Sequence, residues 1–163
     1  EPSNPDSHSW EFQICTTMSY FQSSNGKDDM FFPLEDDLAL HNQYCLKNWN
    51  IHADKYYKSL TVSYPTLDWS STSKILFTNG NLDPWCPGGV KKSQGFWTPA
   101  LWVDKASHHA DLNAPTSNDP QSIINARKLE RAIIAEFIKP SPDEATLAKL
   151  YHVMETEFPI GCY

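Results

Sequence analysis

The sequence predicts an α/β fold in which two parallel strands are followed by helices that cover a sheet. Residues 73–78 form a short apolar run that is typical of a buried parallel strand, and residues 100–104 form a second run. A long amphipathic segment after residue 118 predicts a helix. The order of strand, loop, strand, loop and helix is typical of the last third of a parallel α/β sheet with flanking helices.

The helix after residue 118 has clear boundary signals. Asp119 is expected to cap it, and Pro120 suits the first helical turn, where its missing N–H is harmless. Pro140 is expected to end it. The apolar face is expected to carry Ile123, Ile124, Ala126, Leu129, Ala132, Ile133, Ile134, Phe137 and Ile138. The opposite, polar side is expected to carry Arg127, Lys128, Glu130 and Arg131.

The N-terminal part of the chain gives weaker signals. Residues 10–22 are rich in aromatic side chains and partly alternate, which predicts a strand or an irregular buried segment. Residues 34–49 predict a helix, and a further helix is predicted from about Asp143 to Glu157. These patterns divide the chain into an N-terminal segment (1–70), the last strands and helix of the α/β domain (71–140) and a C-terminal extension (141–163).

Composition excludes several classes of function. The chain has 163 residues, of which 40% are hydrophobic, so it is long enough for one packed domain. Its formal net charge is −7, which argues against nucleic acid as a partner, because binding phosphates requires clustered Lys and Arg. The apolar runs are too short to cross a bilayer. We expect no membrane anchor and no cofactor. The chain begins with Glu1 and not with Met, so we expect it to be processed from a precursor.

The four cysteines predict structural disulfides. They are Cys15, Cys45, Cys86 and Cys162, and none of them forms a Cys-x-x-Cys pair of the kind that binds zinc or performs redox chemistry. Three fully paired connectivities remain open. Disulfides indicate an oxidising compartment. The sequence contains no Asn-x-Ser/Thr sequon, so it gives no support of its own for glycosylation.

An acidic residue and a histidine follow the two predicted strands. Asp83 lies in the string Asn-Gly-Asn-Leu-Asp-Pro-Trp (79–85), and His108 follows the second strand. In α/β-hydrolases a carboxylate and a histidine at such positions are two members of a Ser-His-Asp triad, in which the carboxylate orients the imidazole. The alternative is that Asp83 is an ordinary turn residue and His108 an ordinary loop histidine.

Other side chains near this motif have weaker functional interpretations. The neighbouring histidines His108 and His109 should point to opposite faces of an extended segment, so we do not expect a shared metal ion, even with His52 or Asp111 nearby. Cys86 lacks an activating environment in the sequence, so a structural role is favoured over a nucleophilic one.

A specificity pocket is the second functional hypothesis drawn from the residues. Trp85 and the segment 28–32, which contains Met30, offer aromatic and thioether side chains that suit an apolar or prolyl group. Packing in the core is the alternative role for the same residues.

Several strings together resemble the family of lysosomal and secreted serine peptidases that contains prolyl carboxypeptidase and dipeptidyl peptidase II. The most specific is the 79–85 string followed at this distance by His-His-Ala-Asp-Leu (108–112). The resemblance covers about residues 10–138. The supporting strings are Trp-Glu-Phe-Gln-Ile-Cys-Thr (10–16), Asp-Asp-Met-Phe (28–31), Gly-Gly-Val (88–90), Asp-Pro (119–120) and Ala-Arg-Lys-Leu-Glu (126–130).

The resemblance implies the C-terminal part of an α/β-hydrolase fold and a set of functional residues. It implies that Asp83 is the triad acid and His108 the triad base, and that Trp85 and Met30 bind substrate. It also implies a disulfide between Cys15 and Cys45. Members of the family cleave beside proline, or release dipeptides, so both carboxypeptidase and aminopeptidase action stay open. A lysosomal or secreted glycoprotein is the expected setting.

The nucleophile of such an enzyme is missing from these residues. No Gly-x-Ser-x-Gly occurs in the sequence, so we expect a separate N-terminal chain of the same precursor to supply the serine and the first strands of the sheet. A peptide would be the substrate, and a homodimer of the two-chain unit is one compatible assembly. The alternative is a catalytically inactive homologue that acts as a binding or host-interaction protein.

Overall fold

The computed structural model describes residues 5–18, 24–27, 32–34, 38–58, 69 and 71–158. Two compact units divide the chain, Glu1–Leu67 and Asp68–Tyr163. Each unit has its own buried cluster of side chains and is described by itself.

The first unit is built on two helices, α1 (Pro5–Thr16) and α2 (Leu38–Trp49). A disulfide between Cys15 and Cys45 joins them, and both cysteines are fully buried together with Ala53. This is the pairing that the family resemblance implies. In the chain-entropy view, closing a 30-residue loop in this way contributes about 3–4 kcal/mol to stability.

The strand or irregular segment predicted for residues 10–22 is wrong where the structure describes it, because α1 is helical. His8 and Phe12 are one helical turn apart, and both rings contact Trp49 of α2, with centroid distances of 4.3 and 5.5 Å. These contacts and the Cys15 disulfide lie on one side of α1 and fix it against α2. The helix predicted for residues 34–49 is confirmed from Leu38 onwards, whereas Leu34 forms an antiparallel bridge with Ser24.

The second unit contains a parallel pair of strands, β1 (Phe77–Gly80) and β2 (Ala100–Val103). Phe77 pairs with Ala100 and Gly80 with Val103. The second strand was predicted within one residue, and all of β2 is buried. The first begins later than the predicted 73–78 run and extends beyond its end to include Asn79 and Gly80. It does so because these residues keep pairing with β2 despite their turn propensity.

Two helices complete the second unit, α3 (Gln121–Phe137) and α4 (Glu144–Glu157). Asp143 caps α4, since its carboxylate accepts a hydrogen bond from the Ala145 N–H at 3.0 Å. The main core lies where these helices meet β2 and the residues that follow it. Its buried members include Leu101, Val103, Ala106, Ile123, Ala126, Leu129, Ile133, Phe137, Leu147, Met154 and Phe158. None of the helices in the described ranges has the length and apolar character needed to cross a bilayer.

Helix α3 differs from its predicted form at its start. Pro120 occupies the N-cap position with no side-chain cap, and the helix begins one residue later. Asp119, predicted as the cap, instead accepts hydrogen bonds from the Thr116 N–H and hydroxyl and from Arg127. The Asp119 carboxylate therefore forms an ion pair with Arg127 across the loop and does not cap the helix.

The faces of α3 also differ from prediction. Arg127 and Glu130 were expected on the solvent side, but both are buried. Ile134 and Ile138 were expected on the apolar face, yet they are 48% and 78% exposed. Arg127 and Glu130 lie four and seven residues after the buried Ile123, which places them on the same face of the helix. The buried face of α3 therefore includes Arg127 and Glu130 and excludes Ile134 and Ile138.

Substitution of Ile133 by Ala should lower the free energy of unfolding by about 2–5 kcal/mol, because the side chain is fully buried in the core. Ile134→Ala is the matched control: it is the same change one residue along the same helix, at a side chain that is 48% exposed. Its effect should stay within about 1 kcal/mol. Urea unfolding monitored by circular dichroism gives both values. Equal losses for the two variants would contradict this packing of α3.

Candidate active site

Asp83 and His108 lie side by side just beyond the ends of β1 and β2. The imidazole Nδ1 is 2.9 Å from the Asp83 Oδ2. Since an ionised carboxylate only accepts hydrogen bonds, Nδ1 carries the hydrogen and donates it. The Asp83 side chain is 11% exposed, whereas the His108 side chain is 54% exposed. The carboxylate of the pair is thus mostly shielded, and its imidazole faces solvent.

A tight turn after β1 holds the Asp83 carboxylate in place. Its second oxygen, Oδ1, accepts a hydrogen bond from the Trp85 backbone N–H at 2.8 Å. The Asp83 backbone N–H donates to the Gly80 carbonyl at 3.2 Å. Asp83 is therefore a turn residue and a partner of His108 at once, because each of its carboxylate oxygens serves one of these purposes.

Gly80 lets the two loops approach each other. A Cβ at this position would lie 2.7 Å from the Ser107 carbonyl oxygen and closer still to that of Ala106. Only glycine leaves room for the backbone that leads to His108. Beyond Gly80, the Leu82 N–H donates to the Ala106 carbonyl at 3.0 Å.

The two asparagines beside Gly80 fasten the surrounding loops. The Asn79 amide donates to the Val90 carbonyl at 2.8 Å, which holds the segment after Trp85. The Asn81 amide donates to the Asp104 carboxylate at 2.6 Å, across the end of β2. Each residue of Asn79–Asn81 therefore positions a different part of the site.

The segment after His108 is not extended, contrary to the sequence-based expectation. His109 has a φ of 41°, in the left-handed region, and leads into a 3₁₀ turn, Ala110–Leu112. The two imidazoles consequently do not point to opposite faces, and their ring centroids are 4.3 Å apart. Only the His108 imidazole is hydrogen-bonded to Asp83.

A buried arginine on α3, Arg127, holds the 3₁₀ turn by hydrogen bonds to its backbone carbonyls. The Arg127 Nε donates to the Asp111 carbonyl at 2.8 Å, and Nη2 donates to the Ala110 carbonyl at 2.9 Å. Nη1 pairs with the Asp119 carboxylate. This hydrogen bond to Arg127 is the main reason that the pKa of Asp119 falls to about 2, so the pair stays charged at any ordinary pH.

A buried pair of carboxyls, Asp111 and Glu130, lies beside this arginine. Burial, and then the charge of Asp111 and a hydrogen bond with it, raise the pKa of Glu130 to about 7, although Arg127 and Arg131 act in the opposite direction. Arg127 and Glu130 were not predicted from the sequence as contributors to the site. The available signal was their spacing from Ile123, which places them on the buried face of α3.

Sequence comparisons show which family the chain belongs to. The family model described as "Serine carboxypeptidase S28" matches residues 2–130. The chain belongs to this family of serine peptidases. The lysosomal Pro-X carboxypeptidase of Mus musculus is 37% identical over 121 residues, which cover 74% of this chain, and that of Homo sapiens is 33% identical over 136 residues, or 83% of the chain. The thymus-specific serine protease of Mus musculus is 24% identical over 132 residues, or 80% of the chain.

The matched region is a limited part of each relative. It covers 24% of the mouse Pro-X carboxypeptidase, 27% of the human enzyme and 26% of the thymus-specific protease. The chain therefore spans about a quarter of the length of the curated S28 relatives it matches. The resemblance to the family of prolyl carboxypeptidase, inferred from the motifs, is confirmed.

The remaining sequence-predicted site residues have different outcomes. The Trp85 ring lies with its centroid 6.3 Å from that of His108, so it borders the pair. Met30 lies outside the described residues, as does Cys162. Cys86 is buried and disulfide-bonded, so it has no thiol with which to act as a nucleophile.

One group of potential metal ligands occurs in the described part of the chain. Cys15, His41 and Cys45 bring their ligand atoms within 4.8 Å of one another. Both sulfurs are held in the disulfide, and metal binding by cysteine requires the thiolate. In addition, the His41 Nε2 is 2.9 Å from the Ile14 carbonyl oxygen, an acceptor to which it donates. These residues therefore join α1 and α2.

Substitution of Gly80 by Ala should displace the loop that carries His108, because the new Cβ has no room beside the carbonyls of Ala106 and Ser107. The free energy of unfolding should fall by about 1–3 kcal/mol. Gly95→Ala is the matched control, since its Cβ would meet only the Thr98 hydroxyl, at 3.3 Å. Thermal unfolding of both variants checks this. An unchanged Gly80→Ala melting temperature would contradict the close approach of the two loops.

Proposed function

We propose that this chain supplies the acid and the base of a serine exopeptidase that cleaves proline-containing peptides. The hydrogen bond between the Asp83 carboxylate and the His108 Nδ1 carries the proposal. In the resulting tautomer the lone pair is on Nε2, which is the atom that takes a proton from a serine hydroxyl. Asp83 then stabilises the imidazolium that forms, and the hydrogen bond that its Oδ1 accepts from the Trp85 N–H keeps the carboxylate oriented.

The roles follow the ordinary course of acyl transfer. His108 accepts the serine proton as the serine oxygen attacks the scissile carbonyl, and later returns that proton to the leaving amine. A water molecule then attacks the acyl-enzyme, with His108 again acting as the base. Trp85, whose ring borders that of His108, is placed to contact the substrate beside the scissile bond.

The nucleophilic serine and the oxyanion donors come from a separate N-terminal chain of the same precursor. Three observations support this part of the proposal. The sequence contains no Gly-x-Ser-x-Gly, and the described sheet has two strands, fewer than an independently stable sheet requires. Leu82 and Leu112, which flank the pair, are 56% and 77% exposed and offer apolar surface for the missing part to cover.

Specificity and location follow from the relatives and the disulfides. The mouse and human Pro-X carboxypeptidases are 37% and 33% identical to this chain, and on that similarity we favour carboxypeptidase action. Disulfides at Cys15–Cys45 and Cys86 fit an oxidising compartment, and we propose a lysosomal or secreted protein. The completed fold would be an α/β-hydrolase.

Labelling with a fluorophosphonate probe tests the division of the active site. The probe should label a co-purifying chain in the native assembly and leave the 163-residue chain unlabelled, because fluorophosphonates react with activated serines. Intact mass spectrometry of reduced and unreduced material identifies the labelled chain. Label on a serine of this chain would overturn the proposed division. No label at any pH from 4 to 8 would favour the inactive homologue.

Replacement of His108 by Ala should lower kcat/KM by about 10⁴-fold or more, and Asp83→Asn by on the order of 10³–10⁴-fold, since each removes a triad function. His109→Ala is the matched control and should cost less than about tenfold. The assay measures release of the last residue from an N-blocked peptide ending in Pro-Phe, with assembly checked by size-exclusion chromatography. Equal losses for the two histidine variants would contradict the role given to His108. Release of dipeptides from unblocked peptides, with blocked ones left intact, would contradict carboxypeptidase action.

A further inference from the structure

The loop that carries His108 rests on a buried polar network that the triad itself does not use. Arg127 reaches from α3 to the backbone carbonyls of Ala110 and Asp111 and to the Asp119 carboxylate. Three nitrogens of one planar guanidinium make these contacts, which the single ammonium of a lysine cannot reproduce. Ala110 begins the 3₁₀ turn only two residues after His108, so the arginine fixes the backbone on which His108 depends.

The carboxyls of Asp111 and Glu130 form the second half of this network. The Asp111 Oδ2 and Glu130 Oε1 are fully buried, and neither accepts a hydrogen bond from an N–H or O–H donor among the described residues. Two ionised carboxylates only accept, so they would leave both oxygens unsatisfied and repel each other. A proton on one of the two carboxyls would allow a hydrogen bond between them, which would join the 3₁₀ turn to α3.

We infer that Arg127 and Glu130 are positioning residues for His108, and that they act through the 3₁₀ turn Ala110–Leu112. The inference rests on the proposed function of His108 as the base. Arg127 holds the main chain of the turn, and protonated Glu130 holds its Asp111 side chain. Neither residue contacts the substrate in this role.

The junction between the turn and α3 depends on pH in one direction. The pKa of Glu130 is raised to about 7, above its ordinary value of 4.5, by burial and by Asp111. The charged groups that act on Glu130 are Asp111 from the turn and Arg127 and Arg131 from α3 itself. The folded state therefore binds the proton more tightly than the unfolded state, so the junction is intact below about pH 7 and weakens as the pH rises through 7.

A set of Glu130 variants tests the inference in the active assembly. Glu130→Ala should lower kcat about 10- to 100-fold, because the loop that carries His108 is misplaced. KM should change little, because Glu130 does not contact the substrate. Glu130→Gln keeps a hydrogen-bond donor that cannot ionise, so it should rescue most of that loss below pH 7. It should also move the alkaline fall in kcat from about pH 7 to a value at least one pH unit higher. Glu155→Gln removes the same charge from the exposed face of α4 and should leave the fall near pH 7.

Arg127 is tested by an exchange that keeps its charge. Arg127→Lys should lower kcat about tenfold or more, since lysine cannot hold both carbonyls and Asp119. Arg131→Lys, at an exposed position one turn along α3, is the matched control and should have little effect. An Arg127→Lys enzyme with unchanged kcat, or a Glu130→Gln enzyme with the wild-type pH profile, would overturn the inference.

Hydrogen exchange separates this inference from the proposed function. The Ala110 and Leu112 amides donate to the carbonyls of Ser107 and His109 within the loop. Peptides covering residues 105–113 should lose protection above pH 7 in the wild type, after correction for intrinsic exchange, and keep it in Glu130→Gln. This result supports the junction even in a protein without peptidase activity. Equal protection in both proteins would reject the junction, whatever the peptidase assay shows.

Discussion

The parallel pairing of β1 and β2 is the interaction on which the rest of the site depends. Its register brings Gly80 opposite Val103, and the ladder continues beyond the strands through the Asn81 N–H, which donates to the Val103 carbonyl at 3.1 Å. Because both strands run in the same direction, their following loops leave the same edge of the sheet. Asp83 and His108 are 25 residues apart in sequence, and this shared edge brings them within a hydrogen bond.

Helix α3 connects the stability of the second unit to the geometry of its site. Ile133 on this helix packs in the core with Leu101 and Val103 of β2. The same helix carries Arg127, whose guanidinium holds the turn after His108. A buried guanidinium is costly unless it is paired and hydrogen-bonded, and here two carbonyls and a carboxylate each accept a hydrogen bond from one of its three nitrogens. The helix therefore sets the position of the His108 loop relative to the strand from which it comes.

The sequence predicted those parts of the fold whose local pattern agrees with their tertiary setting. The apolar run of β2 and the family strings around Asp83 are of this kind. Local patterns failed where long-range contacts decide the outcome. Residues 10–22 were predicted as a strand or an irregular buried segment, but residues 10–16 belong to helix α1. This helix is held by its disulfide to α2 and by the contacts of His8 and Phe12 with the Trp49 ring. Arg127 and Glu130 were assigned to the solvent side because of their charge. In the fold they are buried, and their polar neighbours lie in the segment that contains Ala110, Asp111 and Asp119.

The uneven exposure of the Asp83–His108 pair bears on how a divided active site can work. A triad requires its acid to be fixed and shielded, since the acid sets the tautomer of the base, whereas the base must meet a nucleophile from another segment. Asp83 is mostly buried and bonded on both oxygens within one unit, and His108 is about half exposed. Everything that orients Nδ1 is thus local to this unit. For the proposed enzyme, a serine delivered by a separate chain needs to reach only Nε2, so the acid–base half can be assembled without it.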